Sequence, residues 1–232
     1  MATATARSSL RGPCLRCLDL YDRLVTADAI HCQYETAEVI LDGGGDYLLQ
    51  LKANRPALHN AVTAYFDLPE VRADLPAAET NDADHGRLEV RRAWVSHDLS
   101  WLTGPRQAAG DTVLPPGLGC LGMIEATVTR DGWTTTTCHY HLSSRPLRPE
   151  DYLAAARAHW SIENSLHKVL DVTFDEDRNR TRKDNAPENL SILRKLALNM
   201  LKRARPEISV RRKRKRSGWS DDFASSILSQ MR

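Results

Sequence analysis

The hydrophobic and polar positions near the start of the chain predict a strand, a helix and a second strand in close succession. Residues 23–29 are a short apolar run that ends at Asp28, as in a buried parallel strand. Residues 33–41 have apolar side chains at helical spacing, and three consecutive glycines at 43–45 end that helix. Residues 46–52 return to strand character. This order predicts one right-handed crossover unit of a parallel sheet.

The rest of the chain alternates between helical and strand patterns. A short helix is expected over residues 56–66, a loop over 68–84, and period-two strands from residue 87, with a hairpin turn at Asp131-Gly132. A long helix is expected from Pro149 to about residue 170, and a short terminal helix from Asp221. Another long helix begins at residue 186, and its predicted apolar face consists of Leu190, Leu193, Leu196, Ala197, Met200 and Leu201.

Composition favours a soluble, folded protein of the cytoplasm. The 232 residues are 41% apolar, enough to bury a core, and no run is apolar and long enough to cross a membrane. The five cysteines are scattered, which does not suit a disulfide framework. Cys14 and Cys17 form one C-x-x-C pair, but no second pair completes a zinc site, so free thiols are expected.

Charge is distributed very unevenly along the chain. Residues 1–177 contain 16 basic and 25 acidic side chains, whereas residues 178–216 contain 15 basic and 3 acidic ones, a net charge of +12. A segment of this kind binds polyphosphates by releasing their counterions. A solvated basic tail is the alternative interpretation.

Several short segments carry a specific resemblance. They are residues 25–29 (VTADA), 45–47 (GDY), 85–91 (HGRLEVR), 159–167 (HWSIENSLH), 170–174 (LDVTF), 185–190 (NAPENL) and 196–199 (LALN). Together they resemble the DDE-type transposases of bacterial insertion sequences, in the ISAs branch that is also known as the H-repeat-associated proteins. The similarity runs from about residue 17 to near the C-terminus.

The resemblance implies an α/β fold with an RNase H-like, retroviral-integrase-like core. In such enzymes two aspartates and a glutamate bind two Mg²⁺ ions, with Mn²⁺ as a substitute, for in-line attack on phosphodiester bonds. Asp28 matches the second aspartate and Glu163 the glutamate, so both are expected to be catalytic metal ligands. No residue matches the first aspartate, because only 27 residues precede Asp28. A core that is incomplete at its N-terminus, with impaired or no catalysis, is therefore expected.

The resemblance also gives a domain organisation. Residues 1–16 are expected to be a disordered leader outside the family pattern, and 17–84 the second part of the core. Residues 85–148 are expected to be a β-rich insertion, 149–204 the catalytic helix and C-terminal helices, and 205–232 a basic tail.

Candidate DNA-binding residues are basic or polar side chains in the insertion, on the catalytic helix and in the basic segment. They are His85, Arg87, Arg91, Arg157, His159, Asn164, His167, Lys168, Arg178, Arg180, Arg182, Lys183, Arg211, Arg212, Lys213 and Arg214. For the charged residues of the insertion, a paired solvent-exposed strand face is the alternative. Trp94, Trp101 and Trp133 either stack on exposed bases or pack in the core.

Three functions are consistent with these residues. The first is a transposase that acts on transposon ends and target DNA, alone, as a homo-oligomer or joined to a full-length transposase, and without contact with a membrane. The second is a non-catalytic DNA-binding remnant that inhibits a full-length transposase. The third is an unrelated metal-dependent nuclease with zinc bound by His159, Glu163 and His167.

Overall fold

A single mixed sheet organises the first part of the chain. The computed structural model describes residues 3–6, 15–84, 87–102 and 113–231. The chain divides into one unit over Met1–His159 and another over Trp160–Arg232, and each is described by itself. Within the described residues, no helix has the length and apolar character that crossing a lipid bilayer requires.

The sheet has the order β1-β2-β3-β7-β6-β5-β4 among the described residues. Strands β1 to β3 are parallel, and every other neighbouring pair is antiparallel. The strands are β1 (Thr3–Ala6), β2 (Leu24–Ala27), β3 (Asp46–Leu51), β4 (Ala77–Asp84), β5 (Arg87–Ser96), β6 (Cys120–Arg130) and β7 (Trp133–Ser143). The α/β class expected from the sequence is confirmed.

The predicted crossover unit is also confirmed. Strand β2 leads through a 3₁₀ turn at Ala29–His31 into helix α1 (Tyr34–Asp42), and β3 then pairs parallel to β2. The glycines end α1 because the backbone doubles back there. Gly44 has a φ of +73°, and a Cβ on Gly45 would lie 2.7 Å from the carbonyl oxygen of Leu20.

Helices cover both faces of the sheet. Helix α1 and helix α2 (Pro56–Asp67) belong to one core, which also holds Val25 and Leu49. Helix α4 (Pro149–Ile162) belongs to a second core with Leu24 and Leu48. The alternation of Leu24 and Val25 between the cores is the two-residue period of a strand that is buried on both sides.

The segment over residues 68–84 differs from its prediction as a loop. It contains a short helix, α3 (Pro69–Asp74), and strand β4, which pairs with β5 along its whole length. Its Asp, Asn and Glu residues disfavour a strand in isolation. Cross-strand ion pairs, Glu79 with Arg92 and Asp82 with Arg91, each at 2.6 Å, compensate for that preference.

Two further regions join the same sheet. Thr3–Ala6 is a strand paired parallel to β2, in a region for which the sequence predicted a disordered leader. Strands β5 to β7, from the expected insertion, join the sheet through the antiparallel pairing of β7 with β3. The hairpin turn between Arg130 and Trp133 lies where it was predicted, with Asp131 and Gly132 at positive φ.

The long helix predicted from Pro149 changes its hydrogen-bonding pattern near its middle. Helix α4 is followed by a π-helical turn at Glu163–His167 and then by helix α5 (Lys168–Phe174). A π turn has i to i+5 hydrogen bonds, so the α-helical spacing is interrupted there. Such turns are common at functional sites.

Among its described residues, the Trp160–Arg232 unit contains three more α-helices. They are α6 (Ala186–Arg203), α7 (Val210–Ser217) and α8 (Asp221–Leu228), whose shared core is Leu201, Ala204, Phe223 and Ile227. The apolar face predicted for α6 is buried only toward its C-terminal end. Leu193 is 58% exposed and Leu196 is 42% exposed, because this core gathers around the last turn of α6.

Lys213 is a buried cation in this unit. Its side chain is only 4% exposed, and its ammonium group donates to the carbonyl oxygens of Leu201 (2.9 Å) and Ala204 (2.6 Å). These carbonyls belong to the end of α6, where the helix itself offers no backbone donor. Lys213 therefore caps α6 and differs from the other basic residues of α7.

We expect Lys213→Met to lower the free energy of unfolding of this unit by about 2 kcal/mol, because two buried carbonyls lose a charged donor. Methionine keeps a flexible apolar stem of similar length. The measurement is urea denaturation followed by circular dichroism. Lys215→Met is the matched control, since Lys215 is exposed on the same helix. Equal midpoints for the two variants would show that the capping contact contributes nothing.

Candidate functional site

Asp28 lies where β2 ends, and its carboxylate is not used as a helix cap. Its backbone carbonyl accepts from the amide of His31 at 2.9 Å, which begins the 3₁₀ turn. Its side chain forms no capping hydrogen bond and is 35% exposed. The carboxylate of Asp28 therefore does not cap the turn that follows it.

His159 connects helix α4 to this strand end. Its Nε2 lies 3.2 Å from Oδ1 of Asp28, and its Nδ1 lies 3.1 Å from Oγ1 of Thr26. A carboxylate only accepts hydrogen bonds, so Nε2 donates to Asp28. In the neutral ring Nδ1 then accepts from the Thr26 hydroxyl. This hydrogen-bonded series fixes both the imidazole ring and one oxygen of the carboxylate.

Two further contacts hold the turn that follows Asp28. The side-chain amide of Asn54 donates to the carbonyl oxygen of Ala29 at 2.6 Å. His31 is buried behind the turn, where desolvation lowers its pKa and the Asp28 carboxylate partly opposes that effect. The backbone that directly follows Asp28 is therefore held in place.

A buried pair lies close to His159. Nδ1 of His141, on β7, and the hydroxyl of Tyr152, on α4, are 2.7 Å apart. Burial, with smaller contributions from the charges of His139, His159 and Lys52, lowers the pKa of His141 to about 3. Tyr152 packs over Gly122, where a Cβ would lie 2.4 Å from the ring. This pair joins α4 to the sheet close to His159.

The charged side chains of β5 form a connected ion-pair network. Arg91 contacts Glu89 and Asp82, both at 2.6 Å, and Arg87 contacts Glu89 at 2.9 Å. Asp82 also contacts Arg157 of α4 at 2.9 Å. These alternate residues of β5, Arg87, Glu89 and Arg91, thus share one face of the strand. Their ion pairs match the alternative to DNA binding, which was a strand face of paired charges.

Glu163 opens the π-helical turn in the Trp160–Arg232 unit, and only its backbone is described. The same holds for Asn164. The even four-residue spacing from His159 through Glu163 to His167 is interrupted by this turn. Within the described part of the chain, no group of three or more His, Cys, Asp or Glu side chains is arranged to bind a metal ion.

The remaining candidate DNA-binding residues have different surroundings. His85 lies outside the described residues. Arg182 donates to the carbonyl oxygens of Asn179 and Thr181, both at 2.8 Å, and Arg214 donates to that of Thr173. His167 is half-buried. The exposed members of the set are Lys168, Arg178, Arg180, Arg182, Lys183, Arg211, Arg212 and Arg214.

The tryptophans also differ from one another. Trp94 and Trp101 pack against the core, and Trp101 stacks on Tyr65 at 4.4 Å. Trp133, at the tip of the hairpin, is 82% exposed. Only Trp133 among these three therefore presents its ring to solvent.

Sequence reasoning missed Thr26, Asn54 and Asp82. A signal existed for Thr26, because it precedes Asp28 by two positions in an extended segment and so faces the same side. Asn54 contacts Ala29 from the turn after β3, and Asp82 contacts Arg157 from β4. Nothing local in the sequence identifies these partners.

Comparison with protein families gives one relationship that covers most of the chain. The family described as "Transposase DDE domain" matches residues 6–200. The matched region therefore contains Asp28, His159 and Glu163.

Individual proteins of Escherichia coli give the same relationship. The chain is 32% identical over 227 residues to "Putative transposase YncI" of strain O157:H7, a match that covers 92% of this chain and 55% of that protein. From strain K12, "Putative protein YbfL" is 31% identical and "H repeat-associated putative transposase YhhI" is 30% identical, each over 220 residues. Both of these matches cover 92% of this chain and 57% of the relative, so the chain spans little more than half the length of these proteins.

Proposed function

Because this chain belongs to the family of proteins with a transposase DDE domain, we propose that it acts on DNA in the movement of a bacterial insertion sequence. The observation that carries the proposal is the placement of Asp28. It follows a buried parallel strand, its carboxylate is not used as a helix cap, and His159 orients it. Ligand sites of α/β sheets lie at such strand ends.

The proposed core is RNase H-like. Parallel strands β2 and β3, with α1 between them and α4 on the opposite face, support it. In this proposal Asp28 supplies one acidic residue from a strand end, and Glu163 supplies another from the helical segment that follows α4. The segment over residues 85–148, expected as an insertion, continues the sheet antiparallel to β3.

Asp28 and Glu163 would bind divalent metal ions. Carboxylate oxygens are the donors that Mg²⁺ and Mn²⁺ prefer, so the chemistry of both residues fits such ions. When bound, a pair of ions stabilises the attacking and leaving oxygens of a phosphodiester. His159 contacts Oδ1 of Asp28, so Oδ2 would be the oxygen that binds a metal ion. The role proposed for His159 is thus to position Asp28 rather than to contact DNA.

Metal-dependent cleavage by this chain alone is not part of the proposal. The nearest acids before Asp28 are Asp19 and Asp22, which precede β2 and therefore lie toward its opposite end; the four residues of β2 alone span about 13 Å. Asp22 is also paired with Arg145 at 3.0 Å. A third carboxylate therefore has to come from residues other than these.

Binding to duplex DNA tests the proposal most directly. We expect affinity to fall about 150-fold between about 50 and 200 mM salt, because neutralising about four phosphates gives a log–log slope near −3.6. The measurement is fluorescence anisotropy of a labelled duplex over a series of salt concentrations. An isotherm that does not change with salt would contradict the proposal.

A second candidate function is a non-catalytic DNA-binding protein that inhibits a full-length transposase. Exposed basic residues such as Arg178, Arg180 and Lys183 can bind phosphates without any metal ion, and this observation favours it. Production of this chain in the same cells as an active relative distinguishes the transposase from the inhibitor. An inhibitor is expected to lower the transposition frequency, and the Asp28→Asn variant is expected to inhibit equally well.

A further inference from the structure

The basic block of residues 211–216 is a folded helix whose side chains have two different uses. Helix α7 spans Val210–Ser217, and the hydroxyl of Ser209 caps it by accepting from the amide of Arg212. A folded helix sets the direction of every side chain, because successive residues are rotated by about 100°. The six basic residues of the block can therefore be sorted into those that contact the rest of the protein and those that point away from it.

Three of its six basic residues hold the unit together. The ammonium group of Lys213 is buried and caps α6. Arg214 donates to the carbonyl oxygen of Thr173 and lies 5.2 Å from the centre of the Phe174 ring. Arg216 lies 4.5 Å from the centre of the Phe223 ring. Their cationic groups are engaged within the protein.

The other three point away from these contacts. Arg211, Arg212 and Lys215 are exposed, and no hydrogen bond or ion pair links their side chains to any of the described residues. At about 100° per residue, they fall within about 100° of each other on the helix, and Lys213 lies on the opposite side. We define these three residues as the outward face of α7.

The outward face does not stabilise its own helix. Arg211 and Arg212 lie in the first turn, which contains no acidic residue and where the helix dipole disfavours positive charge. Arg211 and Lys215 are four positions apart, where like charges repel. The three charges therefore oppose helix formation, and their arrangement indicates an external anion.

We propose that the outward face of α7 binds the phosphates of duplex DNA, an inference that rests on the proposed function. Arginine offers paired donors that match phosphate oxygens, and a fixed row of cations follows a regular array of phosphates better than a mobile tail does. A lipid surface fits poorly, because an interfacial helix needs an apolar face. The sole apolar residue of α7 is Val210, which packs on the core of its own unit.

A triple variant tests this proposal in the full chain. Arg211→Gln, Arg212→Gln and Lys215→Gln together are expected to lower the affinity for a labelled duplex at least tenfold at moderate salt. The log–log salt slope is expected to become smaller by about 2 to 3, since each lost phosphate contact removes about 0.9. The urea midpoint is expected to stay equal to that of the wild type or to rise, which separates binding from stability.

The matched control removes three exposed arginines that already have carboxylate partners. Arg92 pairs with Glu79, Arg130 with Asp131 and Arg148 with Asp151. Replacing all three by Gln changes the net charge equally and is expected to leave the affinity within twofold. A second variant, with Arg211 and Arg212 replaced by Lys, retains the charges and is expected to keep most of the binding and the whole salt slope.

The outcomes separate this inference from the proposed function. If the wild type binds DNA and the triple variant binds equally well, the outward face is not a DNA contact, while the proposed function stands. If the triple and control variants lose the same affinity, only net charge matters and the inference is wrong. If the wild type binds no duplex, both fail. If the triple variant loses binding to phosphatidylserine vesicles but not to DNA, the surface serves a membrane and the inference is again wrong.

Discussion

Cleavage of insertion-sequence ends is expected to fall at least 1000-fold when Asp28 is replaced by Asn or Glu163 by Gln. Each change removes an ionised oxygen ligand and nearly preserves side-chain volume. A two-ion site needs both carboxylates for the charge that develops on the attacking and leaving oxygens. A loss of that size corresponds to about 4 kcal/mol of transition-state stabilisation.

The assay has to supply the carboxylate that this sequence does not match. It combines this chain with the N-terminal part of a relative such as YhhI, which is expected to carry the first aspartate of the family pattern. Strand breaks in a labelled transposon end are followed with Mg²⁺ or Mn²⁺. The chain alone is expected to leave that DNA intact. Asp74→Asn and Glu188→Gln, both at exposed helix positions, are the matched controls.

Two results would contradict this assignment. Nicking by the chain alone that is lost in Glu163→Gln would show that another acid of this chain completes the site. Cleavage by the mixture that survives Asp28→Asn would remove Asp28 from the chemistry. In both cases unchanged DNA binding by the variants shows that the proteins are folded.

The sequence predicted well those elements whose partners are close in the chain. The crossover from β2 to β3 has a clear pattern because both strands are buried on two sides and glycines end the helix between them. The hairpin between β6 and β7 is marked by Asp131 and Gly132, whose positive φ values the turn requires. Local patterns therefore placed Asp28 at a strand end.

The contacts of Asp28, strand β4 and Lys213 are made with residues that are distant in the sequence or in other elements. Asp28 and His159 are 131 positions apart, and no periodicity in either segment relates them. Strand β4 is polar enough to be predicted as a loop, and it becomes a strand because β5 supplies arginines in register. Lys213 lies in a run of six basic residues, so its burial depends on the helix ends that surround it. The sequence alone assigned His159 and Lys213 to DNA and the β4 segment to a loop because their protein partners were not visible.

The second large effect expected is a loss of stability in mild acid that depends on His141. Burial keeps the folded-state pKa of His141 at about 3, whereas the pKa of a histidine in the unfolded chain is near 6.5. Above pH 6.5 neither state binds a proton there, and stability is unaffected. As the pH falls from 6.5 toward 3, the unfolded chain binds a proton that the folded chain excludes, so stability decreases by about 1.4 kcal/mol per pH unit. The expected loss from this residue is about 2 kcal/mol at pH 5 and approaches a 1000-fold change in the unfolding equilibrium near pH 3.

The variant His141→Gln isolates this contribution, because an amide can still bond to the Tyr152 hydroxyl but does not titrate. Other histidines titrate as well, including His31 and His139, whose pKa values burial also lowers. The informative quantity is therefore the difference in slope between wild type and variant in urea denaturation from pH 7 to about pH 5. The slope of the unfolding free energy against pH gives the number of protons taken up on unfolding. We expect this number to be about one smaller in His141→Gln than in the wild type, and to be unchanged in His97→Gln, at an exposed position. Parallel profiles for wild type and His141→Gln would mean that the ring accepts a proton in the folded state. The contact between α4 and the sheet would then tolerate a charge beside His159, and the Asp28 site would keep its geometry in acid.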